Sequence, residues 1–186
     1  MPDERTSVDR LYAEATEVIR VLDAGAEISL RVSAADQFRK ALLLAAASYF
    51  EHRICNLLVE FVRECAGGST LVENFVRIKA ITRQYHTLFA WDARNANHFF
   101  GPFGDEFRAI MIKRIGDSQE MQASVRAFLE VGSERNKLVH QDYATFPLEK
   151  TLEEIYELYR SALNFVESLP LAFRDGDTHL KANRSP

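Results

Sequence analysis

The stretch SAADQFRKALLLAAASYFEHRICNLLVEFVREC, residues 33–65, decides the fold. Its apolar residues recur at the three- to four-residue spacing of an α-helical face, and Gly67 and Gly68 follow it as a left-handed stop. One face comprises Leu43, Ala47, Phe50, Ile54, Leu57 and Phe61, and the adjacent face comprises Leu44, Ser48, Glu51, Cys55, Leu58 and Val62. Two adjacent, mostly apolar faces predict a long central helix that packs on two sides.

Other helical patterns surround this central one. We predict helices from about Ser7 to Gly25, from Ser69 or Thr70 (a capping box with Glu73) to Arg83, from Glu106 to Ile115, from Asp117 or Ser118 to about His140, and from Pro147 to about Phe173. Between Tyr85 and Gly104 the chain is rich in aromatic residues, Asn and Gly and has no sustained period, which predicts an irregular insertion. No strand-like alternation is visible, so the predicted fold class is all-α, a helical bundle.

Length and composition indicate one soluble domain. The 186 residues suit a single core, which we place at residues 1–173, and the polar segment 174–186 is predicted to be disordered. The apolar run Ala41–Phe50 is about half of a membrane span, and the acidic N-terminus has no apolar signal region. We therefore expect a cytoplasmic protein without membrane contact. The five histidines and two cysteines show no zinc-ligand spacing, and no metal or other cofactor is expected.

The charge distribution gives a weak indication about nucleic acid. The net charge of −4 disfavours a dedicated nucleic-acid binder. Residues 77–137, however, contain ten basic and seven acidic side chains, so the middle of the chain is mildly basic. Such a region could face phosphates while the acidic ends stay in solvent.

The segment Arg135-Asn136-Lys137-Leu138-Val139-His140 carries the strongest candidate site. At about 100° per residue, Asn136 and His140 fall on the apolar face that also includes Val139, while Arg135 lies at its other edge. Polar groups on such a face indicate a partner surface or a wet cleft. In the alternative interpretation, Arg135 pairs with Glu130 or Glu134, and His140 caps the end of the helix.

Glu51 is a second candidate, because it lies within the mostly apolar stripe of the central helix. Buried acids are rare unless they are paired. Two hypotheses remain open: a salt bridge to Arg135 or another arginine, and a direct role in positioning Arg135 or His140.

These residues resemble a known family. Arg135-Asn136-x-x-x-His140 matches the R-x4-H motif of HEPN domains, near the end of a helix that is followed by one more long helix. The segments Ser48-Tyr49-Phe50-Glu51-His52-Arg53 and Asn97-His98-Phe99-Phe100-Gly101 resemble the RiboL-PSP type of HEPN protein, over about residues 30–170. The resemblance implies a HEPN-like bundle.

It also implies a metal-independent endoribonuclease of the toxin or phage-defence type, in which the ribose 2′-hydroxyl attacks the adjacent phosphorus and leaves a cyclic phosphate. His140 would move a proton at the 2′-oxygen or the leaving oxygen, Arg135 would hold the phosphate, and Asn136 would orient one of them. Because Arg135 and His140 differ by about 140° around the helix, one chain is not expected to bring both to one phosphate. We therefore predict a composite site in a homodimer that binds RNA, with an antitoxin or ATPase as a further partner.

Two other features limit this interpretation. The segment Arg94-Asn95-Ala96-Asn97-His98 imitates the motif but is one residue short, so we expect it to be a decoy for catalysis that can still line an RNA path with Trp91, Phe99 and Phe100. Family toxins silenced by nucleotide transfer carry R-x4-H-x-Tyr, whereas here Tyr143 stands three residues after His140. The functional alternatives are a non-catalytic HEPN module that dimerises or binds a nucleotide or partner protein, and a structural adaptor.

Overall fold

Helices dominate the computed structural model, which describes residues 5–184. The α-helices are α1 (Ser7–Ala24), α2 (Ile28–Cys65), α3 (Thr70–Val76), α4 (Tyr85–Leu88), α5 (Asn97–Phe100), α6 (Asp105–Gly116), α7 (Gln119–His140) and α8 (Leu152–Arg184), with a π-helix at Arg77–Ile81 and a 3₁₀-helix at Gly101–Phe103. No strand occurs in residues 5–184. The all-α prediction is confirmed.

The predicted central helix exists, and α2 packs against α1, α7 and α8. Leu42, Leu43, Ala46 and Phe50 are buried, so the apolar run at 41–50 is a core segment as predicted. Within the described residues, α2 is also the one helix whose length and composition would suit a membrane span. Its buried face lies in the protein core.

The start of α2 differs from the prediction. The helix begins at Ile28 rather than near Ser33, because α1 ends at Ala24 with Gly25 as its C-cap and Ala26 turns the chain with a φ of 57°. Ile28, Leu30 and Val32 are exposed apolar residues. Because these residues do not form an apolar face directed at the core, the helical spacing becomes visible only after them, and the predicted start of the helix is too late.

Aromatic rings join the three long helices. Phe50 of α2, Phe128 of α7 and Tyr159 of α8 are buried, with Phe50 lying 5.6 Å from Phe128 and 5.4 Å from Tyr159 between ring centroids. Fully burying side chains of this size contributes about 1.5–3 kcal/mol each to folding. This cluster fixes α7 against α2 and so determines where the end of α7 lies.

The third helix departs from the prediction in two ways. The capping box of Ser69 with Glu73 does not form, because the Glu73 carboxylate pairs with Arg63, with 2.8 Å between Nε and Oε2. The predicted inward face is exposed: Leu71 is 84% and Phe75 is 66% accessible. The helix continues as the π-helix rather than as a regular helix to Arg83.

The irregular insertion is confirmed between the π-helix and α6, apart from the one-turn helices α4 and α5 and the 3₁₀ turn. Phe89, Phe99 and Phe100 are buried, and Phe89 stacks on Phe99 with 4.6 Å between ring centroids. The insertion is therefore anchored to the core by its aromatic rings. This excludes Phe99 and Phe100 from stacking on RNA bases.

The final helix begins later and ends later than predicted. Pro147 lies in the extended connector, and α8 starts at Leu152 after a reciprocal pair of bonds, from Thr151 N–H to Glu154 Oε2 (2.7 Å) and from Glu154 N–H to Thr151 Oγ1 (3.1 Å). This capping box specifies the start more strongly than a proline does.

The predicted disorder of segment 174–186 is wrong for residues 174–184, which continue α8; residues 185–186 lie outside the described part. Arg174 and Asp175 form ion pairs with Glu64 and Arg114, respectively. A Cβ on Gly176 would lie 2.4 Å from Cε2 of Phe107, so the glycine lets α8 approach α6 closely. The partners in these contacts lie on α2 and α6, so the sequence of the tail itself shows no apolar periodicity that would predict a helix.

Candidate active site

The end of α7 turns its apolar face out of the core. Leu138 is fully buried, whereas Val139 is 43% exposed, so the predicted inward face, which included Val139, does not extend to the end of the helix. The side that carries Asn136 and His140 borders an open cavity. Of the two sequence-based interpretations, a partner surface or a wet cleft, the described chain forms a cleft here.

All four candidate residues line one cavity of about 360 Å³. Glu51 comes from α2, and Arg135, Asn136 and His140 come from α7. The remaining walls are formed by Ala47, Phe50, Tyr85, His86, Trp91, Phe128, Val131 and Gly132. A cleft with an aromatic wall and several convergent polar groups is the usual form of a ligand site.

Arg135 has no carboxylate partner in this cleft among the described residues. Its Nη1 donates to Asn136 Oδ1 at 3.1 Å. The ion pairs expected in the alternative interpretation do not form, because Glu130 is paired with Lys150 and Glu134 with Lys137, each at 2.7 Å. The guanidinium therefore keeps donors available for an anionic ligand.

Arg135 and His140 both line this cavity, although their Cα directions differ by about 140°. The arginine side chain is long, and its guanidinium donates to Asn136 on the same helix. Lining one cavity does not place both groups at one phosphate. The expectation that a single chain does not easily do so, and the homodimer inferred from it, therefore stay predictions.

Glu51 is exposed to the cavity rather than buried in an ion pair. No salt bridge joins it to Arg135 or to another arginine within residues 5–184. The apolar stripe of α2 is thus interrupted where the cavity opens. Of the two hypotheses for Glu51, the ion pair is contradicted, and a role in the site stays a prediction.

The charge of Glu51 acts on the neighbouring walls of the cavity. Burial raises the pKa of Tyr85 well above its usual range, and the Glu51 carboxylate adds to the rise while the charge of Arg135 opposes it. Burial also raises the pKa of the Cys55 thiol, again with help from Glu51. Tyr85 is therefore a neutral phenol at physiological pH and Cys55 is a neutral thiol, which makes Cys55 a poor nucleophile.

Sequence reasoning missed the role of Gly132. A Cβ at this position would lie 2.0 Å from Cε3 of Trp91, so only glycine lets the indole ring lie against α7 one turn before Asn136. A glycine inside a helix is unfavourable by about 1 kcal/mol relative to alanine. A glycine in the middle of a strongly periodic helix is therefore the sequence feature that could have indicated a close contact at this position.

His86 was also missed, because it lies in the aperiodic insertion. Trp91 Nε1 donates to the backbone carbonyl oxygen of His86 at 3.0 Å, which fixes the α4 segment beside the cavity. The His86 side chain lines the same cavity as His140. The cleft thus contains two imidazole groups within one chain.

The connector after His140 is held by a buried lysine of α2. The Lys40 side chain is 1% exposed and forms an ion pair with Asp36 at 2.8 Å. Its Nζ also donates to the carbonyl oxygens of Tyr143 (2.9 Å) and Ala144 (3.4 Å). This contact anchors the chain directly after the motif.

The decoy segment lies outside the motif cavity. Arg94, Asn95, Ala96 and Asn97 line a separate depression beside α6 and α7. The His98 ring nitrogen Nε2 lies 3.1 Å from the carbonyl oxygen of Thr87, which ties two parts of the insertion together. None of Arg94, Asn95, Ala96 and Asn97 lines the motif cavity, and the expectation that the segment is a decoy for catalysis stays a prediction.

Comparison with known families identifies the chain. A family model described as RiboL-PSP-HEPN matches residues 9–175. The chain belongs to the RiboL-PSP-HEPN family. This HEPN domain thus includes α1 through most of α8, which is a longer range than the resemblance predicted. No curated protein and no solved structure matches the chain significantly.

The R-x4-H segment lies at the end of α7, which is followed by one more long helix, α8. Within the described residues, no group of three or more His, Cys, Asp or Glu side chains is placed to hold a metal ion. The residues that line the cavity can transfer protons through imidazole or carboxylate groups and bind an anion through Arg135.

Proposed function

We propose that this HEPN domain is a metal-independent endoribonuclease that cleaves RNA by attack of the ribose 2′-hydroxyl on the adjacent phosphorus. One observation carries the proposal: Glu51, Arg135, Asn136 and His140, brought from two helices, line one cavity. The cavity combines a guanidinium without a carboxylate partner, two imidazoles and an aromatic wall. These groups can bind a phosphate, transfer protons and stack on a base, respectively.

In this mechanism the scissile phosphate lies against Arg135, whose charge stabilises the growing negative charge on the phosphoryl oxygens. His140 transfers a proton at the 2′-oxygen or at the leaving 5′-oxygen. Asn136 already accepts a bond from the guanidinium and so orients it. Glu51 faces the same space and positions the polar groups or the water near them.

The decisive experiment measures cleavage of total RNA by purified protein in excess chelator. Positioned acid–base groups contribute about 10²–10⁴-fold to rate, so His140→Ala is expected to lose at least about a hundredfold. His52→Ala is the matched control, because His52 is an exposed histidine of α2 that contacts Asn56 and does not line the cavity. Equal cleavage by His140→Ala and wild type would sink the assignment.

We further propose that the site works in a homodimer. Val139 and Tyr143 are exposed apolar side chains on either side of His140, and a second chain would cover them. A mixture of Arg135→Ala and His140→Ala proteins tests this. If the arginine of one subunit serves the histidine of the other, statistical mixing restores about a quarter of wild-type activity. If each chain uses its own pair, mixing restores nothing and the composite site is ruled out.

The biological setting in this proposal is that of a cytoplasmic toxin or defence ribonuclease, restrained by an antitoxin or ATPase partner. Expression of the wild-type protein should then arrest cell growth, and the His140→Ala protein should not. Arrest by both proteins would separate toxicity from RNA cleavage.

A second candidate function is binding of a nucleotide without turnover, which the aromatic wall favours. Trp91 and Phe128 lie 5.8 Å apart between ring centroids at the inner side of the cleft. Calorimetric titration with mononucleotides, combined with no cleavage of RNA by the wild-type protein, would support this function instead.

A further inference from the structure

Three depressions form a continuous surface along α7. Trp91 lines both the motif cavity and a second depression of about 310 Å³. Arg94 and Arg126 line both this second depression and a third one of about 190 Å³. The three depressions are therefore neighbours that share wall residues, and their lining residues on α7 extend from Gln122 to His140.

Neither arginine forms an ion pair with a carboxylate within residues 5–184, and both side chains are exposed. The acidic groups of the second depression are already engaged: Glu130 and Glu134 pair with lysines, and Asp92 accepts a hydrogen bond from Ser133 at 3.3 Å. No acidic residue lines the third depression. Guanidinium groups that lack carboxylate partners favour phosphate.

The spacing fits a nucleic-acid strand. His140 and Arg126 are fourteen residues apart on α7, which corresponds to about 21 Å. That length is about six nucleotides of a stacked strand at roughly 3.4 Å each, and fewer of an extended one. Trp91 lies between the two ends with its indole half-buried against Gly132, so one face of the depression offers a fixed aromatic surface.

We infer that this surface binds single-stranded RNA on one side of the scissile phosphate, with Arg94 and Arg126 contacting backbone phosphates and Trp91 contacting the base next to the cut. The inference rests on the proposed ribonuclease function. It assigns the substrate class as an RNA strand of several nucleotides rather than a dinucleotide. It also gives the decoy segment of the insertion a binding role.

The test measures binding of fluorescein-labelled decauridylate and diuridylate by fluorescence anisotropy, with every protein in a His140→Ala background to prevent cleavage. The double variant Arg94→Ala/Arg126→Ala should bind the decamer about tenfold more weakly and should lower the salt slope of the logarithm of affinity by about 1.4, since each phosphate contact on a single strand contributes about 0.7. The affinity for diuridylate should be unchanged.

Arg108→Ala is the matched control, because Arg108 is an exposed arginine of α6 that lines none of the three depressions. Decamer affinity equal to that of the control would overturn the inference while leaving the ribonuclease proposal intact. An equal loss for both oligonucleotides would also overturn it, because the arginines would then act through the motif cavity or the fold. Failure of the parent protein to bind either RNA would instead refute the proposed function itself.

Discussion

Replacing Gly132 with alanine tests the geometry on which the cavity depends. The new Cβ would lie 2.0 Å from Cε3 and 2.1 Å from Cζ3 of Trp91, so the indole ring must move. Overpacking of this kind is destabilising by about 1–3 kcal/mol, and loss of the bond to the His86 carbonyl adds about 1 kcal/mol. The gain in helix propensity from glycine to alanine offsets about 1 kcal/mol.

The expected net loss in the free energy of unfolding is therefore about 1–3 kcal/mol, which lowers Tm by roughly 2–12 °C for a chain of this size. Urea denaturation followed by tryptophan fluorescence is the assay, because Trp91 is the sole tryptophan. The emission of Gly132→Ala should shift to longer wavelength as the ring moves towards water. Gly116→Ala is the control, since a Cβ there meets nothing within 4 Å.

The pairwise cause can be isolated with a double-mutant cycle. If the clash with the indole is responsible, Gly132→Ala in a Trp91→Ala background should be no less stable than Trp91→Ala alone. Because that background has no tryptophan, urea denaturation of all four proteins of the cycle is followed by far-UV circular dichroism. An unchanged emission spectrum together with a stability equal to or above wild type would refute the close packing of Trp91 on α7, and with it the position of His86 beside the cavity.

Three further predictions concern the elements that hold the site in place. Lys40→Met should lower the free energy of unfolding by about 1–3 kcal/mol, because the connector carbonyls lose their buried donor while the partly exposed Asp36 keeps its ion pair with Arg39; urea denaturation measures this, and a change no larger than that of the surface variant Arg20→Met would contradict it. For Asp9, burial raises the pKa, but the bonds from Thr6 and Tyr156 outweigh it and hold the pKa below its usual value. A depressed pKa stabilises the fold above about pH 4 and the contribution is lost as pH falls further, so the stability difference between wild type and Asp9→Asn should shrink below that pH, and a constant difference would argue against it. Truncation after residue 173 should lower Tm measurably by calorimetry, since it removes two ion pairs and the packing of Gly176 on α6; an unchanged Tm would restore the interpretation of a disordered tail.

The helices could be predicted from the sequence where their apolar residues recur at helical spacing and face the core. Helices α2, α6 and α7 have apolar residues that face a shared core, and their existence was readable from spacing alone. The start of α2 and the inward face of α3 were predicted wrongly because Ile28, Leu71 and Phe75 are apolar but exposed, whereas the start of α3 at Thr70 was predicted correctly. Hydrophobic spacing reports burial only where another element is present to cover it.

The tail shows the opposite error. Segment 174–184 has lost its apolar period, yet Arg174 and Asp175 bind partners on α2 and α6. These contacts join residues more than sixty positions apart, and no local pattern encodes them. The capping box of Thr151 and Glu154 was readable, but the more familiar proline signal nearby was preferred over it.

The candidate site was partly predictable. Arg135, Asn136 and His140 were found by their motif, and Glu51 by its anomalous position in an apolar stripe; the structure brings all four to one cavity. His86 and Tyr85 come from the aperiodic insertion, where the spacing of apolar residues does not indicate which side chains are buried. The angular argument described Arg135 only by its direction at Cα, and the length of its side chain lets it line the same cavity as His140.

The central claim is that the cavity cleaves RNA through the 2′-hydroxyl. It is tested most directly with a defined oligoribonucleotide in excess chelator, compared with the same oligonucleotide carrying a single 2′-deoxy nucleotide at the cut position. The account predicts a 2′,3′-cyclic phosphate end from the ribose substrate and no cut at the deoxy position. Cleavage at the deoxy position, or a product with a 3′-hydroxyl end, would contradict it.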